Sequence, residues 1–143
     1  MSLGAGQKHL LRYTYDFSRD GGGTGAISLV ADANSVGDNF IVTDVFVHVE
    51  IALTSGGSAT ITLGNTTDPD GYLADFFALA GSNGASIRAG EVAGALIWDD
   101  TNDHKLAYNV GSTAANQNLI ATVGTAALTA GKFSVYLEVM PLL

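Results

Sequence analysis

The sequence predicts one all-β domain, an antiparallel β-sandwich with about eight strands and at most one short helix. Apolar and polar residues alternate with a period of two in several segments, as they do in strands with one buried face. Clusters of Gly, Asn, Asp and Ser separate these segments at intervals of about ten residues. We expect residues 1–143 to form a single jelly roll, with an immunoglobulin-like sandwich as the alternative, although the Cys-Trp-Cys signature of that fold is missing.

The clearest predicted strand covers residues 40–53. Its apolar parity consists of Ile41, Val45, Val47, Val49, Ile51 and Leu53, and its polar parity includes Asp44, His48 and Glu50. The segment TSGG follows, and in residues 59–63 apolar side chains alternate with Thr60 and Thr62. A glycine-containing loop between two alternating runs is typical of a hairpin, so we predict that these two strands pair with each other.

The remaining strands are predicted from shorter or weaker alternation. They cover residues 11–17, 27–31, 95–98, 105–110, 119–123 and 133–139. In residues 72–80 Tyr72, Phe76 and Leu79 fall at helical spacing directly after an Asp-Pro-Asp-Gly turn. We expect a single short helix or a turn in that segment.

The composition favours a protein that contacts other proteins. Six Lys and Arg residues against fourteen Asp and Glu residues give a formal net charge of -8, which opposes binding to nucleic acid. Charged residues make up only 14% of the chain, against about a quarter in ordinary domains, as in the cores of protein interfaces. No apolar run is long enough to span a membrane. The short, Gly-rich residues 1–8 are expected to act as a contact arm.

The sequence contains no recognisable catalytic or metal-binding motif. The three histidines are widely separated, and the absence of cysteine excludes thiolate sites. The acidic segments at residues 65–71 and 99–103 contain oxygen ligands that suit calcium, but Asp, Asn and Gly are also the ordinary residues of β-turns. We therefore expect no enzyme activity, no cofactor and no metal.

Aromatic residues beside acidic ones suggest an alternative role in carbohydrate binding. Trp98 lies at a predicted strand end next to Asp99, and Tyr108 lies in the following predicted strand. Exposed rings next to carboxylates could form a platform on which a glycan stacks, although a lone Trp is more often a core residue. Under this alternative the chain would be a β-sandwich module that binds carbohydrate.

The order of segments over roughly residues 40–80 resembles that of small virion proteins of tailed bacteriophages, and somewhat that of their β-rich tail and fibre components, in which the carbohydrate-binding alternative would belong. The strand IVTDVFVHVEIAL continues through TSGG into SATITLG, and NTTDPDGYLADF follows. The resemblance is to the jelly-roll decoration proteins, also called cement proteins, of phage capsids. It implies a protein on the capsid surface, often a homotrimer, that binds the major capsid protein between shell subunits and stabilises the head.

Overall fold

The structure, a computed structural model, describes residues 7–31, 40–65, 68–88, 107–109 and 119–141. Within these residues the chain forms nine strands and one short helix. The strands are β1 (His9–Asp16), β2 (Gly25–Ser28), β3 (Val30–Ala31), β4 (Phe40–Ser55), β5 (Thr60–Gly64), β6 (Ser86–Arg88), β7 (Ala107–Asn109), β8 (Ile120–Gly124) and β9 (Leu128–Pro141). The helix α1 (Phe17–Asp20) directly follows β1.

The strands form two antiparallel sheets, as the alternating sequence predicts. The larger sheet has the order β3-β1-β9-β4-β6, and β7 pairs with the first residues of β4. The smaller sheet has the order β2-β8-β5. The predicted all-β sandwich is therefore confirmed.

The pairing is nested, which defines the topology as a jelly roll. Strand β1 pairs with β9, β2 with β8, and β4 with β6. Strand β5 is joined to the segment that follows it by a β-bridge between Leu63 and Leu73. Each pair lies inside the previous one along the chain, as expected when one long antiparallel hairpin is wrapped around a core. The additional pairings of β4 with β9 and of β5 with β8 then join the wrapped ribbon into two sheets.

The core between the sheets is built from inward-facing aliphatic residues around a group of three aromatic rings. The Tyr15 ring stacks on Phe133 with centroids 5.0 Å apart, and Phe76 meets Phe133 edge-on at 5.8 Å. The Tyr15 hydroxyl donates a hydrogen bond of 2.7 Å to the carbonyl of Gly21. All three rings are fully buried, so they join β1, β9 and the segment after β5 in one core.

The predicted hairpin between residues 40–53 and 59–63 is wrong. Strand β4 pairs with β9, β6 and β7 in the larger sheet, whereas β5 pairs with β8 in the smaller sheet. The loop between them therefore crosses from one sheet to the other. Both strands need one buried face, and alternation is satisfied equally well by neighbours in one sheet and by strands that face each other across the core.

The prediction of one strand over residues 27–31 also needs correction, because Leu29 separates two short strands that belong to different sheets. Strand β2 ends at Ser28 and β3 begins at Val30, while the Leu29 amide donates to the carbonyl of Leu119. The chain thus changes sheets at one buried residue.

Residues 72–80 form turns and a β-bridge, which is the second of the two predicted outcomes. Leu73 bridges to Leu63, and the Phe76 amide donates to the carbonyl of Ile61. The helix of the described residues is α1 instead, where Asp16 caps the first turn by accepting from the Ser18 amide. Phe17, which the alternation assigned to β1, is therefore the first residue of this helix.

Adjacent leucines in β1 provide a test of the sheet's orientation. Leu11 is 6% exposed and faces the core, whereas Leu10 is 55% exposed on the outer face. We expect Leu11→Ala to lower the free energy of unfolding by about 2 to 3 kcal/mol, because it leaves a cavity, and Leu10→Ala to change it by less than about 0.5 kcal/mol. Urea denaturation measures both. Equal losses would contradict the assigned inner face.

Candidate interaction surfaces

The outer face of the smaller sheet is small and uncharged. The residues on its outward parity are Ala26, Ser28, Thr60, Thr62, Gly64, Ile120, Thr122 and Gly124. Part of this face is already covered, because Ile120 is only 4% exposed and a Cβ at Gly64 would meet the backbone of Asp68 and Pro69. Thr122 on the central strand pairs with Ala26 on one side and Thr62 on the other. Where Ala26 and Ser28 are exposed, a partner would contact small, uncharged side chains, which is the condition that favours the core of a protein interface.

The outer face of the larger sheet holds most of the basic residues of the chain, and each is paired with an acid. Arg88 donates to Asp44 at 2.7 and 3.0 Å, and Lys8 lies 3.2 Å from Glu138. Glu50 lies 3.2 Å from the Lys132 ammonium and 3.9 Å from the Arg12 guanidinium. Exposed pairs of this kind stabilise a protein by at most about 1 kcal/mol each. Their main effect is to nearly balance the charge of this face, where four cations meet three carboxylates.

The carboxylate of Glu138 is held by two neighbours. The Thr43 hydroxyl donates to its Oε1 at 2.8 Å, and the Lys8 ammonium forms an ion pair with the same oxygen at 3.2 Å. These contacts lower the pKa of Glu138, with the Thr43 hydrogen bond as the larger cause and Lys8 as a further one. The ionised form of Glu138 is therefore part of the folded surface.

A shallow groove crosses the same face between two rows of side chains. In one row Arg12, Tyr136, Phe46 and Arg88 lie side by side on four neighbouring strands. The next row contains Thr14, Ser134, His48 and Ser86. Because Ser86 is small and the aromatic residues in the neighbouring row are large, a depression of about 300 Å³ remains along the row boundary.

Polar contacts hold the walls of the groove. The Arg88 guanidinium lies 5.4 Å from the centroid of the Phe46 ring, within the range of a cation-π contact. Nδ1 of His48 lies 3.2 Å from the Ser86 hydroxyl. The groove is thus an aromatic surface with a few polar groups along its rim.

The acidic segment at residues 65–71 is organised as a turn in the residues that the structure describes. The Asp68 amide donates to Oδ1 of Asn65 at 2.8 Å, and the Gly71 amide donates to the carbonyl of Asp68. Burial and the neighbouring Asp70 raise the pKa of Asp68, with burial the larger cause. Across the described part of the chain no group of three or more His, Asp or Glu residues is arranged to hold a metal ion.

The glycan residues predicted from the sequence stay predictions. Trp98 and Asp99 lie outside the described residues, and Tyr108 lies in β7, where its backbone pairs with Ile41. The groove lies farther along β4, at Phe46, about 17 Å from Ile41 at the usual rise per residue. The sequence did carry one signal for it, because Phe46 is an aromatic residue on the polar parity of the strand.

Comparison with known proteins supports the fold. No family model and no curated protein sequence matches the chain. A solved chain from the cyanophage Pam1 capsid asymmetric unit superposes with a TM-score of 0.61 and 17% sequence identity, covering 96% of this chain and 87% of that one. At this identity the likeness shows a shared fold. In the described residues no helix has the length and hydropathy needed to cross a membrane.

The Thr43 hydrogen bond predicts a defined pH dependence of stability. Because the pKa of Glu138 is lowered in the folded protein, the contribution is present above the ordinary glutamate value of 4.5 and is lost as the pH falls through the folded value. We expect Thr43→Val to raise the pKa of Glu138 and to lower the free energy of unfolding by about 1 kcal/mol near neutral pH, with the difference shrinking as the pH falls through the folded pKa of Glu138.

Carboxyl NMR titration and urea denaturation at several pH values measure these effects. Thr62→Val is the matched control, because the Thr62 hydroxyl donates to the carbonyl of Pro69, which does not titrate. Its effect should be independent of pH. An unchanged pKa of Glu138 in Thr43→Val would contradict the assignment.

Proposed function

We propose that this chain is a decoration, or cement, protein on the capsid surface of a tailed bacteriophage, where it binds between subunits of the major capsid protein and stabilises the head. The observation that carries the proposal is the likeness over 96% of the chain to a chain of a cyanophage capsid asymmetric unit. The jelly-roll topology and the low content of charged residues support the same role. The role needs no catalytic residue.

The outer face of the smaller sheet is the proposed contact with the shell. The side chains on its open part are Ala, Ser and Thr, so binding there removes neither a charge nor a long, mobile side chain from water. Strand β2 lies at the edge of this sheet and exposes Ala26 and Ser28. In this proposal residues 1–8 add a second contact with the shell.

The stabilising effect would arise by linkage. A protein that binds the assembled shell and not its separated subunits shifts the equilibrium toward the shell. A homotrimer brings three such faces together around one axis, so individually weak contacts combine. The net charge of -8 disfavours nucleic acid as the partner and favours a protein surface.

Serine-to-arginine substitutions on the two outer faces test which one binds. Ser28 and Ser86 are both exposed on short strands, but Ser28 belongs to the smaller sheet and Ser86 to the larger one. We expect Ser28→Arg to weaken binding to capsid shells about tenfold or more, because it inserts a charge into an uncharged contact, and Ser86→Arg to bind like the original chain.

Sedimentation of purified protein with shells that lack it measures the bound fraction. Unfolding curves of the two variants control for loss of structure. Equal binding by both variants would contradict the assigned face, and no binding of the original chain to shells would contradict the proposed function.

A further inference from the structure

The groove on the larger sheet has the size and lining of a small-molecule site. Its volume of about 300 Å³ is at the lower end of the range for such sites, which combine an apolar lining with a few polar groups. The rings of Phe46 and Tyr136 are half-buried and form one side. His48 and Ser86 are exposed on the other side, and the backbone at Val47 and Ile87, whose side chains point into the core, lies between them.

An extended peptide does not suit this groove. Peptides that bind to sheets pair with an edge strand, where backbone N–H and C=O groups are available. The groove lies on the face of the sheet over β4, which is paired with β9 on one side and with β6 on the other, although β6 itself is the last strand of this sheet in the described residues. A peptide lying across these strands would bury its own backbone groups without backbone partners.

An anionic ligand does not suit it either. The guanidinium of Arg88 is the nearest cation, and it donates two hydrogen bonds to Asp44 at 2.7 and 3.0 Å. The opposite charges of this pair cancel locally. The net charge of -8 on the whole chain further opposes the approach of an anion.

A neutral sugar matches both parts of the lining. One face of a pyranose ring carries C–H groups that can pack on an aromatic ring, while its hydroxyls both donate and accept hydrogen bonds. The Ser86 hydroxyl can donate and accept, and the two ring nitrogens of His48 offer further hydrogen-bonding positions. We propose that this groove binds one neutral sugar unit of a glycan, stacked on Phe46 and Tyr136 and hydrogen-bonded along the row of His48 and Ser86.

This inference is independent of the proposed capsid role. If the smaller sheet faces the shell, the groove lies on the opposite side of the sandwich and stays open to solvent. If the chain binds sugar but does not bind shells, the sugar site stands and the proposed capsid role is contradicted. If the chain binds shells but does not bind sugar, the capsid role stands and the sugar site is contradicted.

Saturation-transfer NMR on the full chain tests the groove. The probes are glucose, galactose, mannose and N-acetylglucosamine at millimolar concentration, with N-acetylneuraminic acid as the anionic comparison. We expect transfer to at least one neutral sugar, with backbone amide shifts centred on Phe46 and Ser86. We expect Tyr136→Ala to weaken binding about tenfold, because it removes one stacking surface.

A matched pair of substitutions separates the groove from the rest of the surface. Ser86→Trp fills the groove from an exposed position and should abolish transfer, whereas Ser28→Trp adds the same ring to the opposite face and should leave transfer unchanged. The inference is overturned by no transfer to any neutral sugar, by transfer that survives Ser86→Trp, or by tighter binding of N-acetylneuraminic acid than of every neutral sugar.

Discussion

Strand β4 pairs with β9 along nearly its whole length, and this pairing sets the position of the other elements. The two strands form the centre of the larger sheet, with β1 beside β9 and β6 beside β4. Irregularities in the pairing near Thr43, Glu50 and Ala52 change which residues face inward, so Ile51 is 50% exposed while Val49 and Leu53 are buried. Gly131, with φ of 145°, leaves room for the Leu53 side chain beside it. The pairing thus determines both the core and the rows of side chains on the outer face.

The two outer faces of the sandwich differ in chemistry although the same fold builds them. The smaller sheet presents small, uncharged side chains, and the larger sheet presents aromatic residues among paired charges. All five Lys and Arg residues in the described part of the chain form ion pairs. Such pairing allows a protein with a net charge of -8 to carry two faces with little net charge, one suited to a flat protein contact and the other to a neutral ligand.

Strands could be predicted from the sequence where one face is buried and the register is regular. Strands β1, β4 and β9 have long runs of period two, and the core positions Val45, Val47 and Val49 follow from that period. The sheet to which a strand belongs could not be predicted, because alternation does not distinguish a neighbour in the sheet from a strand across the core. The groove was missed for a related reason. It depends on the cross-strand register of Tyr136, Phe46 and Arg88, and the three-residue strand β6 is too short to show a period.

An image of decorated capsid shells by electron cryomicroscopy would test the central claim most directly. A map of shells with the bound chain, compared with a map of bare shells, locates the sandwich and shows which sheet faces the shell. The proposed role predicts added density between shell subunits, with β2, β8 and β5 toward the shell and the groove toward solvent. Density with the larger sheet against the shell, or shells without added density, would contradict it.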